Sequence, residues 1–198
     1  MNYILKFLCL CLCLATISCL RPADCSGLFQ TYGPIHIQLA DKEADAFASE
    51  MKREGFMLVE YGGAMMTNVQ SFSMIFMSSQ QVDLEKSRRI FVRMSERFLL
   101  RINASDALRP YLANYPMTAR NLDLGILFSA SLVSPFDKYV NNVGMLNTLS
   151  ETRVPEIFYD RFHPDTKKID SIHRETYQEA LEIVAHQNQP STSPVGCE

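Results

Sequence analysis

Residues 71–102, SFSMIFMSSQQVDLEKSRRIFVRMSERFLLRI, change their apolar period once, and that change decides the fold. In residues 71–78, Phe72, Met74 and Phe76 alternate with Ser71 and Ser73, the two-residue period of a strand with one buried face. Asp83 then stands where a carboxylate accepts backbone N–H bonds at a helix start. From there to residue 102, Ile90, Phe91, Met94, Phe98 and Ile102 share one helical face.

Toward the N-terminus, residues 56–61 have strand composition, and the segment from Gly62-Gly63 to residue 70 can turn the chain into a hairpin with residues 71–78. Before it, Ala44, Phe47, Ala48 and Met51 make an apolar stripe on a helix over residues 42–53 that Gly55 can terminate. Asp41 reads as its N-cap, and Ile35, Ile37 and Leu39, alternating with His36 and Gln38, read as a short strand. Toward the C-terminus, a short helix is expected over residues 105–114 with Pro110 in its first turns. Residues 121–128, 139–148 and 154–162 read as strands of an antiparallel meander, with Pro155 near a strand start or on an edge. Residues 167–184 place Ile169, Ile172, Thr176, Ala180 and Ile183 on the face of a last helix. Strands clustered in hairpins predict an α+β domain of two layers, a mostly antiparallel sheet with helices packed on one face.

A chain of 198 residues accommodates one such domain over residues 34–186, with a signal peptide at 1–18, a tether at 19–33 and a flexible polar tail at 187–198. Its composition, 47% hydrophobic and 21% charged, supplies a core and excludes global disorder. The formal net charge of −3 leaves no basic excess to follow a nucleic-acid backbone, so no nucleic-acid partner is expected. Lys6 followed by an apolar run over residues 7–17 is the pattern of an export signal, and the run is shorter than the roughly 20 residues a membrane-spanning helix needs.

The stretch Leu14-Ala15-Thr16-Ile17-Ser18-Cys19 resembles the lipobox of bacterial lipoproteins, with Thr16 where that family usually carries an aliphatic residue. The resemblance implies lipidation of Cys19, a membrane partner reached through the N-terminal lipid, and a place in the cell envelope or periplasm. Cleavage after Ser18 by an ordinary signal peptidase, giving a secreted protein, is the alternative. Cys9, Cys11 and Cys13 lie in the signal, so lipidation of Cys19 would leave Cys25 and Cys197, which an oxidising compartment could join as a disulfide. Further along, Leu108-Arg109-Pro110-Tyr111-Leu112, Tyr115-Pro116-Met117-Thr118 and Asn121-Leu122 are similar to a segment of uncharacterised secreted proteins of intracellular bacteria. That group has no assigned activity, so the likeness implies origin and not mechanism.

The sequence carries no GxSxG, HExxH, P-loop or GxGxxG motif. His163 and Asp165 bracket Pro164 in a polar turn, and His173 and Glu175 point in different directions on the expected last helix, so no ligand set converges and no metal or cofactor is expected. Five methionines, Met57, Met65, Met66, Met74 and Met77, fall in the first hairpin, where the phase of Met74 argues for packing, in the core or on a partner-binding apolar face, and not for copper. Asn103-Ala104-Ser105 is an N-glycosylation sequon, expected to stay unmodified behind a bacterial signal. The sharpest local feature is Arg89, Arg93, Arg97 and Arg101, spaced every four residues with Arg88 alongside. Such a stripe could meet phosphates or an acidic surface of an envelope or protein partner, or it could pair with acids of the first helix. The expectation is therefore an exported binding module without catalysis of its own. Its rivals are a small secreted hydrolase, recognisable by a deep pocket holding His163 or His173 beside a carboxylate, and a secreted effector.

Overall fold

The computed structural model describes residues 33–129, 139–145, 154–163 and 165–187. The expected signal, Cys19, Cys25, Cys197 and the polar tail lie outside these residues. Among the described residues, three α-helices, α1 (Ile35–Arg53), α2 (Leu84–Ala104) and α3 (Tyr177–Gln187), accompany six strands. The strands are β1 (Phe56–Gly62), β2 (Phe72–Ser78), β3 (Leu122–Phe128), β4 (Asn142–Met145), β5 (Glu156–His163) and β6 (Lys168–Thr176). They form one sheet in sequence order, antiparallel throughout except for the parallel pair β2–β3, which α2 connects.

The period change in residues 71–102 is what builds the core. Phe72, Met74 and Phe76 of β2 and Leu122, Leu124 and Ile126 of β3 point to the face that receives Phe91, Met94, Phe98 and Ile102 of α2. Phe98 meets Phe72 edge-on at 5.0 Å and Phe47 of α1 at 5.0 Å, so aromatic rings from both helices and the sheet interlock at one point. The result is an α+β fold with a mixed, mostly antiparallel sheet and the helices packed on it, as the strand clustering predicts. Asp83 caps α2 through Lys86 N–H at 2.7 Å, and Pro155 sits just before β5.

Three segments differ from expectation, each for a local reason. Residues 35–39 are the opening turns of α1 and not a strand. The Pro34 carbonyl accepts the N–H groups of Ile37 and Gln38, and Asp41 is a buried mid-helix residue instead of an N-cap. His36, Ala40, Ala44, Phe47 and Met51 continue one helical stripe, which five alternating residues could not reveal. Residues 105–114 form only a three-residue 3-10 turn, Arg109–Tyr111, since Pro110 cannot extend an α-helical ladder and Ala113 N–H instead donates to Val69. Residues 168–176, read as the start of the last helix, are β6; Lys167, with φ of +56°, sits in the turn from β5.

Thr176 then opens α3 with a capping box: Thr176 N–H and Oγ donate to the Glu179 carboxylate, each at 2.8 Å, and Glu179 N–H donates back to Thr176 Oγ at 3.2 Å. Ile169 consequently lies on the sheet and is exposed, while Ala180 reaches the core. No helix among the described residues is long and apolar enough to cross a membrane.

Candidate functional site

The arginine stripe is brought together as the spacing demands, and it meets acids. Arg93 donates to Glu54 at 3.0 Å, Arg97 to Glu54 at 2.5 Å and also to Glu50, and Arg101 to Glu50 at 2.9 Å. Arg101 also lies 3.6 Å from Glu43, and Arg89 pairs with Glu85 one turn back on α2. Glu43, Glu50 and Glu54 fall on the side of α1 that faces α2, so three arginines and three glutamates form an interhelical ladder with no net charge. The hydrogen bond from Arg101 holds the Glu50 carboxyl below its ordinary range, and the bond to Glu54 holds Arg97 above its own. A ladder already satisfied by carboxylates must break its own pairs to take a phosphate, which weakens it as an anion site.

Beneath the other end of α2, a polar cluster is closed off from water. Arg88 and Glu175 are each only 8% exposed, and Arg88 Nε donates to Glu175 Oε1 at 2.7 Å. Tyr159, fully buried, donates to the same oxygen at 2.5 Å, and His173 Nε2 stands 3.4 Å from Oε2. Burial alone would raise the Glu175 carboxyl, but the bonds from Arg88 and Tyr159 outweigh it and the net displacement is downward. The same burial and the same carboxylate push Tyr159 up.

Contrary to the expectation of divergent directions, His173 and Glu175 are two apart on a strand and lie on the same side of it. The signal that could have found this arrangement is the Thr176-x-x-Glu179 box, which starts the helix only after both residues. His163 also has a carboxylate, Asp170 Oδ2 at 2.9 Å, on the exposed β5–β6 hairpin. Among the described residues no group of three His, Cys, Asp or Glu is placed to hold a metal ion. Asn103 of the sequon uses both ends of its amide on the Met117 backbone, each at 2.8 Å.

Among the described residues, three grooves bear on these sites. Two run along the ion ladder, about 640 Å³ beside Arg89 and Arg93 and about 420 Å³ beside Arg97 and Arg101. The third, about 250 Å³, is on the opposite side of the sheet and is walled by Met77, Leu127, Phe162 and Ile169. Neither His163 nor His173 lines any of them.

The third groove belongs to a wider apolar surface. With the described helices on one face, the other carries Met57, Ile75, Met77, Leu127, Phe158, Phe162 and Ile169 among the polar residues Asp123, Asn142 and Asp160, and Met57, Leu127 and Ile169 are 51%, 40% and 68% exposed. Met57 and Met77 are cross-strand partners here, whereas Met74 is in the core. One rung of this face crosses every strand: Glu60, Ile75, Gly125, Gly144, Phe158 and Arg174 stand side by side. Its centre is flat, because the Phe158 ring lies over Gly144, where an added Cβ would stand 2.5 Å from the ring. Phe72, Met74 and Phe76 hold one phase of β2, and Ile75 and Met77, in the opposite phase of the same strand, supply this second surface.

No family model, no curated protein and no solved structure matches the chain.

Proposed function

We propose that the chain is an exported binding module, held at a membrane through a lipid on Cys19, and that it makes contact through the uncovered face of its sheet. The observation that carries this reading is the apolar face itself, with Leu127 and Ile169 exposed beside a groove of about 250 Å³. Contiguous apolar surface of this kind marks interaction sites on folded proteins. Export and anchoring rest on the apolar run at residues 7–17 and on Ser18-Cys19. The arginine face, whose guanidinium groups are occupied by Glu43, Glu50 and Glu54, is the lesser surface for this purpose.

The test places a photo-cross-linking residue at Leu127 or at Arg93 in the full chain, inside bacteria that process it. Adducts from Leu127 and none from Arg93, on a mature protein whose mass shows an acylated Cys19, are the expected result. Adducts from Arg93 alone would return the function to the arginine face, and none from either would end the binding reading. A mature mass without acyl chains would remove the anchor.

A further inference from the structure

We infer that the occupant of the open sheet face is a basic amphipathic segment of another protein, its apolar side on the Leu127 end of the face and its lysines or arginines on the acids at the other end. The inference rests on the binding reading above and names the class of partner. The strand registers sort the face into three rungs. The first holds Met57, Met77, Leu127, Asn142 and Asp160, with Phe162 and Ile169 just beyond it. The second is the rung from Glu60 to Arg174, whose glycine centre is covered by Ile75 and the Phe158 ring. The third carries Ser73 and Asp123 toward one edge and Glu156 and Thr176 toward the other.

Charge follows the same sorting. Glu60, Asp123, Glu156 and Asp160 stand on this face against one base, Arg174 on the edge strand β6. Among the described residues none of these four acids has an ion pair, whereas Glu43, Glu50 and Glu54 of α1 are all paired. Asp160 is held by Asn142 Nδ2 at 3.0 Å, and the other three lie on the second and third rungs. Burial raises the Asp123 carboxyl against the bond from Ser73, and Glu60 adds like charge to it. An ammonium or guanidinium group set beside them would offset both effects.

The dimensions agree. The apolar first rung and the acidic third are about 13 Å apart, since strands rise about 3.3 Å per residue. An α-helix is about 10–12 Å across with its side chains, so an amphipathic helix laid over the face sets its apolar flank on one rung and its basic flank on the other. The groove of about 250 Å³ between Leu127 and Ile169 receives an apolar side chain from the first flank. The same acids repel phosphate, which disfavours an anionic bilayer as the occupant.

The full chain, purified as exported and carrying the photo-cross-linking residue at Leu127, tests the inference with three short biotin-labelled peptides: a Leu/Lys amphipathic helix, its Leu/Glu counterpart, and a Ser/Lys peptide of the same charge as the first. The Leu/Lys peptide is expected to form adducts whose yield falls with salt, and the other two at least about ten-fold fewer. Glu60→Lys/Glu156→Lys, at two exposed positions, should lower the Leu/Lys yield by at least about ten-fold and raise that of Leu/Glu. Glu182→Lys, an exposed reversal on α3, should change neither. Circular dichroism on each variant confirms that these substitutions leave the fold intact. Equal yields from Leu/Lys and Leu/Glu, or from Leu/Lys and Ser/Lys, overturn the inference. So does an unchanged yield in the double variant, or a loss as large in Glu182→Lys. If no peptide forms adducts while Leu127 still cross-links to another molecule inside the bacteria, the basic partner is wrong and the binding face survives.

Discussion

Arg88 shows what one residue costs and returns. Its guanidinium is buried between α2 and the sheet, and Glu175, with Tyr159 beside it, repays that burial. Arg88→Met should therefore destabilise the fold by about 3–5 kcal/mol, since it leaves the Glu175 carboxylate buried without its partner. Arg88→Met/Glu175→Leu should recover most of that loss, and urea titration measures both. The pH dependence follows from the depressed Glu175 carboxyl. A lowered folded pKa contributes stability that is fully present above the unfolded value of about 4.3 and is lost as pH falls through the folded value. Glu175→Gln should remove that acid limb from a plot of stability against pH; an unchanged limb would show that Glu175 does not titrate as its hydrogen bonds require.

At the scale of the element, α3 is the clearest case of a boundary set by two side chains. The Thr176–Glu179 box fixes where β6 stops and α3 starts, and the net effect of its hydrogen bonds holds the Glu179 carboxyl below its ordinary range. Thr176→Val keeps the β-branched shape and removes the oxygen, so it should cost about 0.5–2 kcal/mol in thermal or chemical unfolding. No measurable loss would mean that packing of Tyr177 and Ala180 alone sets the boundary.

Legibility varied among the elements for related reasons. The helix over residues 84–104 and the strands at 72–78 and 122–128 were readable because long periodic stripes leave one solution. Ile169, Ile172 and Thr176 mimicked a helical stripe by coincidence of spacing, and Ile35, Ile37 and Leu39 mimicked a strand. The arginine row was legible at once, and so was its pairing with acids of the first helix; which acids, Glu43, Glu50 and Glu54, depends on how the two helices pack, which spacing within one helix does not give. The methionines of the first hairpin allowed both core and an apolar outer face; the strand phase divides them, Met74 inward and Met57 and Met77 outward, but the extent of that face over β3, β5 and β6 depends on the register between strands.

Across the whole molecule, carboxyl groups pull stability in opposite directions. Glu50 and Glu175 are depressed by arginines, whereas burial raises Asp41, Asp45 and Asp123. A raised acid contributes most below its unfolded pKa and loses that contribution as pH rises through its folded value. Asp45 carries this furthest: burial raises its carboxyl, Asp41 adds like charge, and the buried Asp45 Oδ1 atom has no hydrogen-bond partner. Asp45→Asn should therefore raise the melting temperature at neutral pH and leave it near the wild-type value at about pH 3, where both states bind the proton. Calorimetry at the two pH values decides it, and a lower melting temperature at neutral pH would show that the ionised carboxylate is stabilised.

Because the strands are neighbours in space in the order in which they occur in the chain, the sheet can be assembled by accretion. Residues up to Phe128 already hold two helices and the parallel pair, the strand pairing of greatest sequence separation, so that pairing needs nothing from the rest of the polypeptide. Each later strand then adds to an edge that is waiting for it, and no finished part has to reopen to admit a latecomer.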